Sequence, residues 1–582
     1  MINWNKLSGV LLFVISFFWF SFPAEYVLIA NRDLTLFICS PGYLASFLDR
    51  PGGLMEYAGA FLTQFYRFRF TGALVLSTVI TGTYFACWSL ISRVSGSKDH
   101  FAIGILIAIL LLGMHNYYPH QIGQTLGFML SVCLVIRLPS PGKNRALFLI
   151  LTVPLFYLLA GGFIWFYCGL VLVDQLSVRR KVDIPAVLLA SFYPLVTVLL
   201  SARLLFLDPL KELAVNPLPL GEEYGNSIWP YLFLGWMTFA LVLAPGLIRI
   251  LRWHSALARI GQSILSVLVL LLVMHFSFNR KNREFFHIEK LALSQDWDQL
   301  LAYAADHPSR NLFGVYYTNL ALANQGKLCH ALFQYPQSFG RRALCFNWEA
   351  KGEILRRGSD FFWTVRFVNE AHHWAYESMI IDGFTRRNLT MLIKTELVRG
   401  NYKVAEKYID LLRKAMFQKK AARHYAGFLH HREAISGDPE LGPRLRTRLD
   451  QDFFSDGVDL EINLRSLLAN DSANLPAQDY LMALLLLEKE IDKIASALPD
   501  YLEASKGILP PLLEECLLVH KITNREEAGA LPEVSPATLQ RFDAYARMLR
   551  QYRDRNEAAR MLYPDFGNSF WFYLNFVSLP NQ

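Results

Sequence analysis

The sequence predicts an all-α protein in two parts, a polytopic helical membrane domain over residues 1–278 and an exported α-helical repeat domain over residues 279–582. Three observations carry this. About nine apolar runs in the first part approach the length a helix needs to cross a bilayer. Lys and Arg fall in every second gap between those runs, as short cytoplasmic loops require. Beyond residue 278 apolar residues recur at helical spacing between Gly-marked turns, with few strand signals.

The runs are read as spans at about 8–30, 70–92, 101–114, 121–137, 146–160, 162–177, 184–206, 229–249 and 260–278. The first is too long for a signal-peptide core and lacks a small-residue cleavage site. Residues 146–173 carry no charge, so the charge rule needs two crossings there, turned at Gly161-Gly162. The basic gaps hold Lys6, Arg93/Lys98, Lys143/Arg145, Arg179/Arg180/Lys181 and Arg249/Arg252/Arg259. The acidic stretch Asp208–Glu223 marks an opposite-side loop. An amino terminus inside and an odd number of crossings then place the tail outside.

Residues 31–69 form an outside segment of their own. Leu36, Phe37, Tyr43, Leu44, Phe47 and Leu48 recur at helical spacing, as do Leu54, Tyr57, Ala58, Phe61 and Phe65. Pro51-Gly52-Gly53 separates two amphipathic helices, each too short to span and suited to the membrane surface. In the tail, Gly326-Lys327-Leu328 leads to Ala331 and Tyr335, and Gly400-Asn401-Tyr402 leads to Ala405 and Ile409. A turn residue, a small Ala for close approach and a large residue one turn on are the logic of tetratricopeptide-like helix pairs.

Charge and cysteines exclude several classes. Residues 1–278 hold 18 Lys and Arg against 11 Asp and Glu, and the remainder 39 against 38, so nearly all of the net +8 belongs to the membrane half. That is a topology signal, and nucleic acid is not an expected partner. The seven cysteines show no CxxC pair or metal-ligand spacing, and no metal site is expected. Phosphate-binding glycine loops, HExxH and GxSxG are absent.

Ionisable and polar groups gather instead at the outer face. Glu25 ends the first span, Asp33, Asp49, Arg50, Glu56 and Gln64 lie in the surface segment, and His115, Tyr118 and His120 turn the third span into the fourth, with Gln124 one turn deeper. Polar side chains at this depth are functional candidates because their burial is costly.

This order of elements resembles the membrane glycosyltransferases of the GT-C fold. The resemblance implies a polyprenyl-phosphate-linked sugar as substrate and an acidic residue after the first span as base or metal ligand. Glu25 and Asp33 occupy that region as candidate catalytic residues, with Arg50, Arg67, Gln64, His115, Tyr118, His120 and Gln124 as candidates to bind substrate. The paired acidic motif common in those enzymes is missing.

The chain also resembles an uncharacterised bacterial family of multi-spanning proteins with a helical-repeat tail. The likeness rests on Arg50-Pro-Gly-Gly-Leu-Met-Glu-Tyr57 through Phe65, Asn319 through Leu328, Phe367 through Glu377, and Ser569-Phe-Trp-Phe-Tyr573. Two functions stay open: an enzyme of the bacterial inner membrane acting on a lipid-linked sugar, and a non-enzymatic anchor that displays a helical repeat to a periplasmic protein or peptide. No cofactor is assigned.

Overall fold

The computed structural model describes residues 4–95, 101–178, 182–220, 227–242, 256–349, 352–447, 459–524 and 531–578. Lys98, Arg179, Arg180, Lys181, Arg249, Arg252, Glu222 and Glu223 lie outside them, so the loop charges read at those positions have no structural counterpart here. The chain divides into two compact units, Met1–Arg283 with Lys414–Phe417, and Glu284–Arg413 with Gln418–Gln582. Both are helical, and the described residues contain no strand.

The first unit opens with α1 (Trp4–Ser21) and α2 (Glu25–Leu34). Sequence predicts one span over 8–30, but the two helices meet at a bend of 69°. Pro23 supplies no N–H and breaks the ladder there. Next come α3 (Pro41–Leu48) and α4 (Gly53–Thr63), divided at Pro51-Gly52, where Gly52 takes a φ of 82°. Ser40 caps α3 by accepting the Tyr43 N–H at 3.2 Å. Phe37, Tyr43, Phe47 and Tyr57 then pack ring against ring, joining the two short helices.

The long helices follow: α5 (Arg69–Ser95), α6 (Phe101–Asn116), α7 (Ile122–Ile136), α8 (Lys143–Ala160), α9 (Phe163–Val178), α10 (Ile184–Leu204), the short α11 (Leu210–Val215), α12 (Trp229–Val242) and α13 (Ala256–Ser277). The break between α8 and α9 falls at Gly161-Gly162. The expected span 229–249 is described only to Val242. Among the described residues four helices are long and apolar enough to cross a membrane: Arg69–Val94, Lys143–Ala160, Ile184–Leu204 and Ile260–Ser277, or up to five if the bent pair is one span.

The outer surface of this unit is apolar where a water-soluble protein would be polar. Val10, Val14 and Phe18 on α1, Leu147, Leu151 and Leu155 on α8, Leu188, Phe192 and Leu199 on α10, and Leu268, Leu271 and Leu272 on α13 are all exposed. Ser16, Ser77, Ser131, Arg145, Asp174 and Gln175 are buried instead. An aliphatic belt of this extent fits a hydrocarbon solvent.

Hydrogen bonds tie the helix ends into two groups. At one end Arg93 of α5 donates to the carbonyls of Val135 and Ile136 at 3.0 and 2.6 Å, and lies 3.5 Å from Asp174 of α9. Arg145 of α8 reaches Asp174 at 3.3 Å and the Pro139 carbonyl at 2.9 Å. Arg145, expected on a loop, is therefore fully buried; the aspartate in the neighbouring helix draws it in. At the other end the Gly52 N–H donates to the Leu158 carbonyl at 3.2 Å, and the Gly162 N–H to that of Asn216 at 2.7 Å.

In the second unit, helices Gly352–Thr364, Val368–Asp382 and Arg386–Arg399 pack in series, as do Leu475–Glu488, Ile491–Ala504 and Pro511–Thr523. Gly326 and Gly400 turn the chain with φ of 63° and 79°, values that glycine adopts without a Cβ penalty. After Gly400, helix Tyr402–Lys414 buries Ala405, Ile409 and Leu412. After Gly326 the expected second helix is a single turn, Leu328–Ala331, continued as a 3-10 turn to Gln334. Pro336 ends it, since the residue before a proline is disfavoured in the helical region.

Candidate functional site

His115 closes α6 and His120 precedes α7, so a short turn brings their buried rings to 4.5 Å between centroids. Thr125, on the first turns of α7, bridges them. Its hydroxyl lies 2.9 Å from His115 Nε2 and 3.0 Å from His120 Nε2. A hydroxyl carries one proton and can donate to one ring at most, so at least one of the two imidazoles presents its Nε2–H to Thr125. Gln124 Oε1 accepts the Gln121 N–H at 3.3 Å and steadies the start of α7.

Asn116 holds this turn against the rest of the unit. Its side chain accepts from Trp19 at 2.8 Å and donates to Ser277 at 2.6 Å, and its carbonyl accepts from Tyr26 at 2.7 Å. Asn31 of α2 donates to the Tyr118 carbonyl at 2.9 Å. α2 is thereby laid along the turn by its Tyr26 and Asn31.

Below the turn opens a cavity of about 260 Å³. Phe128, Phe163, Phe166 and Phe233 wall it, and His120, Gln124 and Thr125 supply its polar edge. No carboxylate is among its lining residues. A concave apolar space with a few convergent polar groups suits the apolar portion of a ligand.

The remaining candidates sit in separate arrangements. Glu25 lies 3.6 Å from Arg69, whose guanidinium also stacks 4.4 Å from the Phe22 ring centre. Asp33 takes both Arg32 nitrogens at 2.8 Å. Arg50 is half exposed and pairs with Glu56, which accepts from Asn216 at 3.1 Å. Gln64 is buried and donates to the Ala60 carbonyl at 3.0 Å. The structure thus gathers His115, His120 and Gln124 around Thr125, attaches Tyr118 through its backbone, and engages each carboxylate with its own arginine. Among the described residues no three His, Cys, Asp or Glu side chains meet as a metal site.

The full-length family model matched by this chain covers residues 1–577. The chain belongs to the Family of unknown function (DUF6057). Membership spans both units and carries neither an activity nor a fold name, and it brings no GT-C or tetratricopeptide relative with it. No curated protein and no solved structure matches the chain.

Sequence reasoning passed over Asn31, Asn116 and Thr125, whose roles arise from partners far along the chain. It also passed over a charged cluster inside the second unit. There Glu289 forms a two-pronged pair with Arg357 at 2.8 and 3.1 Å and accepts from Arg387 at 3.0 Å and Tyr317 at 3.1 Å. Arg387 also pairs with Asp360. Burial pushes the Glu289 carboxyl up, but the two guanidinium groups outweigh it and hold it below the usual value. At Asp360 burial wins, and its carboxyl is raised. An i,i+3 spacing of Arg357 and Asp360 on one helix face was the signal available in sequence.

Proposed function

We propose that this protein is a multi-pass inner-membrane protein of the bacterial envelope that displays a helical-repeat domain to partners on the periplasmic side, without catalysis at its outer face. The observation that carries this reading is the engagement of Glu25 by Arg69 and of Asp33 by Arg32, with neither carboxylate in the lining of the cavity edged by His120 and Gln124. A general base must reach the proton it removes. Helices packed in series in the second unit supply the repeat-like surface.

Nine crossings require α6, α7 and α9 to span although each is only about 23–24 Å long at 1.5 Å per residue. The two groups of helix ends support alternation: the ends near Arg93, Arg145 and Asp174 form the inner face, and those near Gly52, His120 and Asn216 the outer. On this reading α3 and α4 lie at the outer surface of the bilayer.

A second reading, a glycosyltransferase-like protein acting on a polyprenyl-phosphate-linked sugar, draws on the apolar cavity beside two histidines. One experiment separates the two. The full chain carrying Glu25→Gln and Asp33→Asn should restore the phenotype of a deletion strain as the native chain does. Loss of complementation at unchanged membrane abundance would overturn the non-enzymatic reading and favour catalysis.

A further inference from the structure

The cavity beneath the His115–His120 turn opens between apolar groups. Of the described residues that line it, only Trp165 and Leu220 are exposed, by 37% and 42%. The Trp165 indole is fixed at this rim by its N–H, which donates to the Ala214 carbonyl at 2.8 Å. Its helix, α9, packs beside α10, whose exposed Leu188, Phe192 and Leu199 belong to the aliphatic belt. A mouth framed in this way, on a unit whose outer surface suits hydrocarbon, admits molecules dissolved in the bilayer.

The interior sets the chemistry of what enters. Among the described lining residues there is no Lys, Arg, Asp or Glu, and residues 221–226, which continue the chain from the rim, include no Lys or Arg. A charged head would lose its water here without an ion partner, at high cost. The polar edge is His120, Gln124 and Thr125, all buried. Gln124 has its Oε1 committed to the Gln121 N–H at 3.3 Å, so it meets a ligand through the two hydrogens of Nε2, which call for an acceptor. At about 260 Å³ the space is smaller than the roughly 300–1,000 Å³ of pockets that enclose a whole small molecule. It takes a head and leaves a tail outside, between Trp165 and Leu220.

We propose that this cavity binds the head of an uncharged, carbonyl-bearing lipid, a quinone or an acyl ester, whose carbonyl oxygen accepts from Gln124 Nε2 while its tail passes out between Trp165 and Leu220 into the bilayer. A carbonyl is an acceptor without charge, and so meets both conditions the lining sets. The rings of Phe128, Phe163, Phe166 and Phe233 pack against the apolar part of the head. The inference holds for a non-enzymatic anchor as well as for an enzyme, and it differs from a lipid-phosphate site in the charge of the group received.

The test is calorimetric titration of the full-length protein in lipid nanodiscs, with empty nanodiscs subtracted, against decylubiquinone, methyl decanoate, decane and decyl phosphate in separate arms. Saturable binding of at least one carbonyl probe is expected, and the tighter of the two tells quinone from ester. Decane, which lacks the acceptor, should bind about fivefold more weakly, the worth of one neutral hydrogen bond, and decyl phosphate more weakly still. Gln124→Leu should bring the carbonyl probes down to the level of decane while decane binding stays as it was, a selective loss that a merely structural role would not produce. Should that variant fail to fold, Leu220→Trp narrows the mouth from an exposed position and should weaken all binding, whereas Leu207→Trp, fully exposed and outside the lining, should bind as the native protein does. Absence of saturable binding by both carbonyl probes, decane bound as tightly as they are, or decyl phosphate bound as tightly as they are, would overturn the proposal.

Discussion

Arg145 and Asp174 lie 3.3 Å apart, both fully buried, one at the start of α8 and the other near the end of α9. Arg93 reaches the same carboxylate from α5 at 3.5 Å. Three helices of the first unit are thus pinned at one end by a charge cluster whose Arg145 and Asp174 are fully buried and whose Arg93 is partly exposed. The contact brings the C-terminal ends of α5 and α9 together with the N-terminal end of α8, and so fixes which helix termini share a face.

Removing one partner should be costly. Asp174→Leu leaves two guanidinium groups without their carboxylate, and a loss of about 3–5 kcal/mol is expected. Arg145→Met combined with Asp174→Leu should cost less than the two single changes added together, because neither leaves its charge stranded in the double variant. Denaturant titration of the purified protein in detergent reads both values.

The crossing of α4 over α7 depends on two glycines. A Cβ on Gly59 would lie 2.8 Å from both Cα and N of Gly123, backbone atoms that cannot swing aside. Gly59→Ala should therefore destabilise the first unit by about 1–3 kcal/mol, an overpacking cost. Gly169→Ala, where nothing lies within 4 Å, serves as the control and should be neutral or better. Melting temperatures of the two variants decide the point.

Turn chemistry was the most legible part of this fold. Pro51-Gly52-Gly53, Gly161-Gly162, Gly326 and Gly400 each mark a helix boundary in sequence and in structure, because a positive φ or a missing N–H leaves few residues to choose from. Pro23 carried the same kind of signal within the first apolar run, and hydropathy alone masked it. Arg145 was legible as a charge but not as a buried one, since its partner Asp174 lies 29 positions away. At the candidate site, His115, His120 and Gln124 share a short turn and could be grouped by proximity in sequence. The arginines that engage Glu25 and Asp33 were in plain view too, but pairing depends on side-chain geometry that spacing does not encode.

Asp479 gives the second unit a pH dependence. Burial raises its carboxyl to about 6, against the hydrogen bond from Tyr501 at 2.9 Å that favours the charged form. The folded state holds this proton more tightly than the unfolded chain does. Its stabilising contribution is present below about pH 4 and is lost as pH rises through 6, by up to about 1.4 kcal/mol for each pH step of one. Asp479→Asn should flatten the stability profile between pH 4 and 6, as read by thermal unfolding across that range. An unchanged slope in the variant would show that other groups set it.

The membrane reading rests on α5, α8, α10 and α13 crossing together with their shorter neighbours. Its most direct measurement is a set of topology reporters fused after residues 145, 118, 215 and 300 of the chain. The account predicts a cytoplasmic signal at 145 and exterior signals at 118, 215 and 300, the last placing the whole second unit beyond the membrane. A cytoplasmic signal at 300 would contradict it, because the odd number of crossings and the displayed domain would fall together.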